Sequence, residues 1–334
     1  MKPQFDSFFK LIEKHKSFLI LIHSNPDGDA MGSSTALSLF LKKAGKKSAV
    51  LSPSAVPKRL YFTKHKDVTY FENPKDKALS KFQNSCVISI DVASDELLPG
   101  TSVSKENPVS FAIDHHRTNT LSAKEKYVDA KAASVGEILF KIIKEYEKAH
   151  KTKIFDSDIC ASLYTSISSD TGCFKYSNTT PFTHKTAAFL LKNGVDATEI
   201  NRLLFDTKNM SQINIEQFAY KNMRLLYDNR LAITVIDSKD LENAGASEED
   251  TEAVSQLLRM INGVQISVLM RQQHKEGEKS RYKFSVRANP DIDVSELCGI
   301  FGGGGHKKAA GCTIHDTKER AFEKFTAAAK DFLI

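Results

Sequence analysis

Two aspartates and a histidine crowd one turn, His23-Ser24-Asn25-Pro26-Asp27-Gly28-Asp29-Ala30, directly after the apolar run at residues 18–22. Carboxylates and an imidazole packed this closely perturb one another's ionisation unless a cation sits among them. Pro26 and Gly28 permit the tight backbone that points Asp27 and Asp29 towards a common point. Taken alone, the segment also fits an Asx-rich turn capping the helix that follows. It has company: Asp91 ends the apolar run 87–90, Asp114-His115-His116 ends the run 109–113, and Ser168-Ser169-Asp170-Thr171-Gly172 closes a helical stretch that begins near Asp156. In open α/β sheets ligands bind at the carboxyl ends of strands. A strand buried on both faces leaves a carboxylate at its end to a loop or to a site. An oxygen-rich donor set with a minority of imidazoles suits manganese or magnesium better than zinc, and there are donors enough for two ions. Two ions about 3.5–4 Å apart activate a bridging water and neutralise a phosphoryl group during in-line displacement. Hydrolysis of a phosphate ester is the chemistry this pattern points to.

A second motif lies near the C-terminus: Phe301-Gly302-Gly303-Gly304-Gly305-His306-Lys307-Lys308-Ala309-Ala310-Gly311. Glycines let backbone N–H groups approach an anion closely, and a histidine with two lysines supplies charge beside them. A flexible hinge is the other reading of the glycine run. Arg287, within Ser285-Val286-Arg287-Ala288, reads by itself as an exposed strand arginine. Phe174 and Tyr176 follow Asp170 and have faces on which a base can stack, although aromatics so placed equally serve as core.

The elements that must position these groups follow from periodicity. Strand patterns at 17–23, 47–52, 86–91 and 109–113 alternate with helical ones such as 30–43, which predicts a mainly parallel sheet with helices on its faces. From 133 to 208 the pattern is helical, with Thr180 and Pro181 opening one helix and Asn193-Gly194 closing it. An amphipathic run at 212–227, marked by Ile215, Phe218, Leu225 and Leu226, leads into a fresh strand at 231–237. The expected division is a first domain at 1–210, a linker helix at 211–229 and a second domain at 230–334. The second domain has its own set: a helix at 247–261, strands at 264–271 and 281–288 joined by a hairpin turn at Glu276-Gly277-Glu278, and a last strand and helix after the glycine run.

With 334 residues, two domains are the default expectation. An apolar content of 41% and a charged content of 26% place the chain among globular proteins rather than disordered or fibrous ones. The longest apolar run, 18–22, is far too short to span a bilayer. Asp6 and Glu13 interrupt an amphipathic N-terminal pattern unlike a signal peptide, so a cytoplasmic protein with no membrane partner is expected. The five cysteines, Cys86, Cys160, Cys173, Cys298 and Cys312, are odd in number and lack CxxC spacing, which argues for buried apolar positions over a disulfide framework or a zinc knuckle. A net charge of +6 is as compatible with a solvated surface as with an anionic substrate.

The Asp114-His115-His116 triplet resembles the signature of the DHH family, and the motifs around His23, Asp27, Asp29, Asp91 and Asp170 match that family's other metal motifs. The glycine run followed by His-x-x-Ala-Ala-Gly is similar to the substrate-binding motif of the DHHA1 domain. The resemblance extends over nearly the whole chain. It implies an α/β fold: a DHH domain with a mainly parallel sheet and flanking helices, plus a smaller α/β DHHA1 domain, with the active-site cleft between them. It also implies two manganese ions, with magnesium as a substitute. His23, Asp27 and Asp91 would hold one ion, and Asp29, Asp91, His115 and Asp170 the other, with Asp91 bridging. His116 would stand near the scissile phosphate, and Asp114 would orient its neighbours. Arg287, Gly303, Gly304, Gly305 and His306 would bind substrate. A compact DHH plus DHHA1 chain is similar to the bacterial nano-RNase group. The implied partners are short single-stranded RNA or small nucleotide phosphates, including phosphoadenosine phosphate and linear dinucleotides, with a homodimer left open. A nucleotide-binding protein without catalysis is the alternative of another class. The crowded carboxylates count against it.

Overall fold

The computed structural model describes residues 5–251, 254–273, 280–289 and 292–334, with the backbone alone at His306. The chain divides into two compact units, Met1–Thr207 and Lys208–Ile334.

The first unit runs α1 (Asp6–Lys14), β1 (Ser17–Leu21), α2 (Gly28–Lys43), β2 (Lys47–Leu51), β3 (Thr69–Phe71), β4 (Cys86–Ile90), β5 (Val109–Asp114), β6 (Ala123–Val128), α3 (Val135–His150), α4 (Ser157–Asp170), α5 (Pro181–Lys192) and α6 (Ala197–Asn201). Its six strands are ordered β3-β2-β1-β4-β5-β6, and every pairing is parallel. The predicted mainly parallel sheet is therefore present. This order is that of a doubly wound sheet, in which the winding reverses between β1 and β4 and opens a crevice at their carboxyl ends. Both faces are covered. Ile20, Ile88, Ile90 and Ile113 pack into a core with residues of α1 to α5 on one side, while Leu21, Leu51, Val92 and Ala112 form a second cluster on the other. Thr180 caps α5 in a capping box with Pro181 behind it, as the sequence predicts, and Asn193 ends it. The edge strands β3 and β6 have no counterpart in the sequence reading. In β6 Lys124, Glu125 and Lys126 are exposed, so the strand lacks apolar periodicity; a charged edge of this kind resists pairing with other chains.

The second unit comprises α7 (Met210–Asn222), β7 (Arg224–Leu226), β8 (Leu231–Ile236), α8 (Ser238–Ala244), α9 (Val254–Leu258), β9 (Ile266–Gln273), β10 (Arg281–Ala288), α10 (Val294–Gly299), β11 (Gly304–His306), β12 (Ala309–His315) and α11 (Lys318–Lys330). Its sheet is ordered β11-β12-β10-β9-β8-β7 and is mixed, with β8 and β9 the parallel pair. Phe284, Val286 and Phe325 pack on one face, whereas Ile215 and Ala219 of α7 join Ala232, Ile236 and Leu258 on the other.

Three sequence expectations change here. The amphipathic run 212–227 is not one helix: α7 ends at Asn222, and Leu225 and Leu226 belong to β7, antiparallel to β8. The reversal is made by Tyr227, Asp228 and Asn229, all at positive φ (54°, 57° and 65°), a left-handed turn that apolar spacing does not announce. In place of a helix over 247–261 there is a 3-10 turn at Glu249–Thr251 and the short α9. The glycine run is no simple lead-in to a strand, since Gly304 and Gly305 form β11 and pair with β12. The Glu276-Gly277-Glu278 turn lies outside the described residues, although β9 and β10 do pair antiparallel up to Gln273 and Arg281. Among the described residues, no helix is long and apolar enough to cross a membrane.

Candidate active site

The carboxyl ends of β1, β4 and β5 present His23, Asp91 and Asp114-His115-His116 at the crevice of the first unit. Asp27 caps α2, its Oδ1 accepting from the Ala30 amide at 3.0 Å, and so sets the angle at which Asp29 enters the helix. The His23 Nδ1 lies 2.9 Å from the Ser24 carbonyl; a proton placed there leaves Nε2 as the electron-pair donor. That Nε2 is 3.9 Å from Asp27 Oδ1 and 3.7 Å from Asp91 Oδ2. The His115 ring has the same arrangement, with Nδ1 3.4 Å from the Ala132 carbonyl and Nε2 3.6 Å from Asp91, 3.7 Å from Asp29 and 3.2 Å from Asp170.

Among the described residues three donor clusters result, each with its ligand atoms within 4.8 Å of one another: His23, Asp27 and Asp91; Asp29, His115 and Asp170; Asp91, His115 and His116. Asp91 belongs to two clusters and His115 to two. Asp91 is a backbone outlier, held at φ 59°, a left-handed conformation unusual for a residue other than glycine. Its amide donates to the Ile113 carbonyl at 3.0 Å, which ties the turn after β4 to β5. Its Oδ1 is buried and has no hydrogen-bond partner. An orphaned buried carboxylate oxygen facing imidazole nitrogens fits a metal ion among these groups.

The electrostatics agree. Burial pushes the Asp91 carboxyl well above the ordinary range, and the charges of Asp29 and Asp27 push it further. Asp170 is raised likewise, first by burial and then by the same two neighbours. Carboxyls that resist ionisation side by side become stable as anions when a cation is placed between them.

Asp114 stands apart from the clusters. Burial alone would raise its carboxyl, but hydrogen bonds from His116 and Asn119 bring it down to about 2. Its Oδ1 lies 2.7 Å from His116 Nδ1, and its Oδ2 accepts from Asn119 Nδ2 at 2.6 Å. Burial alone would lower the His116 imidazole, and the Asp114 carboxylate raises it instead. The pair thus holds a proton on Nδ1 and fixes the ring.

Several supports escape the sequence reading. Asp29 is fully buried, and its oxygens accept from the Val135 amide at 2.8 Å and from Ser166 Oγ. Asn178 donates at 3.1 Å to the carbonyls of Asp170 and Ala133. Ser166 is 137 positions from Asp29, whereas Asn119 and Asn178 lie 5 and 8 positions from Asp114 and Asp170; all three are common residue types that no local spacing marks.

The second unit carries the remaining predicted residues. Arg287 of β10 pairs with Ala309 of β12, and the backbone of His306 pairs with Ala309 from the other side, so the three share one cross-strand row. Arg287 is half-buried, its Nη1 donating to the Val286 carbonyl at 3.1 Å. Gly303 lies so close to β12 that a Cβ there would sit 2.2 Å from the Gly311 carbonyl oxygen, and Gly305 takes φ 141°, so both positions require glycine. Gly303 and Gly304 line a cavity of about 520 Å³ with Lys283 and Thr313. Arg287 and Gly305 are not on its wall; Lys283, which precedes Arg287 on the same face of β10, is.

Comparison with known proteins agrees with this geometry. The model of the DHH family, N-terminal domain, matches residues 17–167, and that of the DHHA1 domain matches 228–334. The chain is similar to the bifunctional oligoribonuclease and PAP phosphatase NrnA of Thermus thermophilus, 29% identical over 94% of this chain and 89% of that protein. It is also similar to the protein of the same name from Bacillus subtilis, 24% identical over 93% of each. An exopolyphosphatase-related protein from Bacteroides fragilis has the same fold, with a TM-score of 0.89 at 23% identity, over 99% of this chain and 97% of that one. With both domain models matched in order along the chain, and the aspartates and histidines of the first gathered at one sheet end, the protein belongs to the DHH/DHHA1 superfamily of phosphoesterases.

Proposed function

We propose that this phosphoesterase hydrolyses the phosphodiester bonds of very short oligoribonucleotides and also removes the 3′-phosphate of phosphoadenosine phosphate. The observation that carries the reading is the sharing of Asp91 and His115 between donor clusters, which supports one site holding two neighbouring ions. His23, Asp27 and Asp91 would hold one ion, and Asp29, Asp91, His115 and Asp170 the other. Manganese suits the mixture of imidazole and carboxylate, with magnesium as a weaker substitute. When bound, such ions supply Lewis acidity towards a phosphoryl oxygen and a water of lowered pKa. His116, oriented through Nδ1 by Asp114, would give a proton to the leaving oxygen from Nε2. The relatives named for both activities match along nearly their whole length, which supports the substrate choice. In this reading the metal chemistry belongs to residues 1–210 and substrate binding to 230–334, through Arg287, His306 and the backbone of Gly303, Gly304 and Gly305. Short RNA and small nucleotide phosphates fit a cytoplasmic site of action.

The test compares rates on a dinucleotide, a long RNA and phosphoadenosine phosphate, first after exhaustive chelation and then with manganese or magnesium restored. Chelation is expected to abolish turnover on all three. Manganese is expected to restore it more fully than magnesium. Full turnover by the chelated protein would sink the metal reading, and inactivity on both small substrates with manganese present would sink the substrate reading.

A further inference from the structure

The donors Asp29, His115 and Asp170 come from α2, from just after β5 and from the end of α4, yet all three are tied to one short stretch of chain, residues 132–135. The Ala132 carbonyl lies 3.4 Å from His115 Nδ1, and the Val135 amide donates to Asp29 Oδ2 at 2.8 Å. Asp170 is joined to the same stretch by a side chain: Asn178 Nδ2 donates at 3.1 Å to the Ala133 carbonyl and at 3.1 Å to the Asp170 carbonyl. Carbonyls only accept, so the amide is fixed with its nitrogen towards them and both of its N–H donors engaged. Its Oδ1 is buried without a hydrogen-bond partner among the described residues, so no acceptor bond competes for that orientation.

The chain between Asp170 and Asn178 is bent against its preference. Gly172, Cys173 and Phe174 follow one another at φ 54°, 58° and 62°. Left-handed backbone is costly at Cys173 and Phe174, which carry a Cβ. Such a loop persists where the bonds around it over-determine it. Thr171 holds it from within, its carbonyl accepting from the Lys175 and Tyr176 amides at 2.9 and 3.0 Å. Asn178 closes it, back onto Asp170 and across to Ala133.

We propose that Asn178 is a positioning residue for the Asp29, His115 and Asp170 donor set, locking Asp170 and the 132–135 stretch into one frame and so setting the affinity of the ion that this set would hold. That an ion is held there rests on the proposed function; the frame does not. The neighbouring set is oriented elsewhere, with His23 Nδ1 2.9 Å from the Ser24 carbonyl and Asp27 accepting from the Ala30 amide at 3.0 Å. Loss of the Asn178 donors should therefore fall on one ion and spare the other.

The experiment uses the full-length protein stripped of metal, as wild type and as Asn178→Ala, titrated with Mn2+ and followed by calorimetry and electron paramagnetic resonance. Wild type is expected to bind two ions with the spectrum of a coupled pair. Asn178→Ala is expected to bind one with wild-type affinity and the other about 10–100-fold more weakly, the usual effect of losing a group that orients metal ligands. At intermediate Mn2+ it should give the spectrum of an isolated ion. Hydrogen exchange of the metal-free variant should quicken in peptides covering 132–136 and 171–178 and stay unchanged over 23–30. Asn178→Leu, which keeps the volume without the donors, should behave as Asn178→Ala does, and it takes that variant's place should Asn178→Ala fail to fold. Unchanged affinities, equal weakening of both ions, or a uniform rise in exchange across the first unit would each overturn the proposal. So would wild-type affinity in Asn178→Leu, which would leave volume as the only requirement. A wild type that binds fewer than two ions would count against the two-ion reading instead; exchange at 132–136 then decides, and an unchanged rate there removes the frame.

Discussion

At the residue scale the site separates groups that would hold metal from groups that orient them, and single substitutions distinguish the two. Asp91 has the most partners to lose, since it joins two donor clusters and keeps a buried oxygen without a hydrogen bond. Asp91→Ala is expected to lower turnover by about 10³-fold or more, comparable with loss of a major electrostatic element of a catalytic site. Metal content should fall with it, as read by elemental analysis of the purified variant. Near-normal turnover and metal content would remove the bridging role. His116 poses a sharper question, because it falls within reach of Asp91 and His115 yet has its Nδ1 against Asp114. If it serves as a proton donor, His116→Ala should lower kcat by roughly 10²–10⁴-fold while leaving metal content at the wild-type level. His115→Ala should lower both. Metal loss in the His116 variant would instead make that residue a ligand.

At the element scale the site depends on how closely α2 and α4 approach. A Cβ at Gly32 would stand 2.6 Å from the Ser162 carbonyl oxygen and 2.7 Å from the Ser166 amide nitrogen, so the obstacle is backbone and has no rotamer by which to yield. Gly32→Ala is therefore expected to destabilise the protein by about 1–3 kcal/mol through overpacking. Because Ser166 donates to Asp29, pushing α4 outward should also weaken metal binding. Urea unfolding of the metal-free protein and a metal titration measure the two effects separately; an unchanged midpoint would show that the helices adjust without cost. This dependence also marks what was legible in the sequence. The strands carrying His23, Asp91 and Asp114 were readable because their apolar runs end abruptly in ionisable residues, and α5 because Thr180 and Pro181 announce its start. The contact of Gly32 with α4 was not, since a glycine inside a helical pattern gives no sign of what crosses it. The partners of Asp29 and Asp114, namely Ser166, Val135 and Asn119, depend on folding as well. The left-handed turn at 227–229 was hidden behind Leu225 and Leu226, whose spacing fits a helix as readily as a strand.

At the scale of the whole molecule, every residue of the donor clusters lies in Met1–Thr207, whereas Arg287 and the glycine strand lie in Lys208–Ile334, and each unit has its own core. Arg287 is half-buried on the face of β10 opposite Phe284 and Val286, so truncating it removes a cation and leaves that core in place. If the reacting phosphate is held by the metals while Arg287 grips another part of the same nucleotide, that remote contact contributes to positioning as well as to affinity. Arg287→Ala should then lower kcat/KM on a dinucleotide and on phosphoadenosine phosphate by about 10- to 100-fold, the range expected for a lost charge-assisted contact of about 1.5–3 kcal/mol. Metal content should remain at the wild-type level. Hydrolysis of bis(p-nitrophenyl) phosphate, which has no second phosphate or base to grip, should change little. The same variant should narrow the difference in kcat/KM between a dinucleotide and a long single strand, because the preference for short substrates would come from that grip. Equal losses on the nucleotide and on the small diester would show that Arg287 acts on the metal unit after all, and an unaltered length profile would remove the second unit from substrate selection.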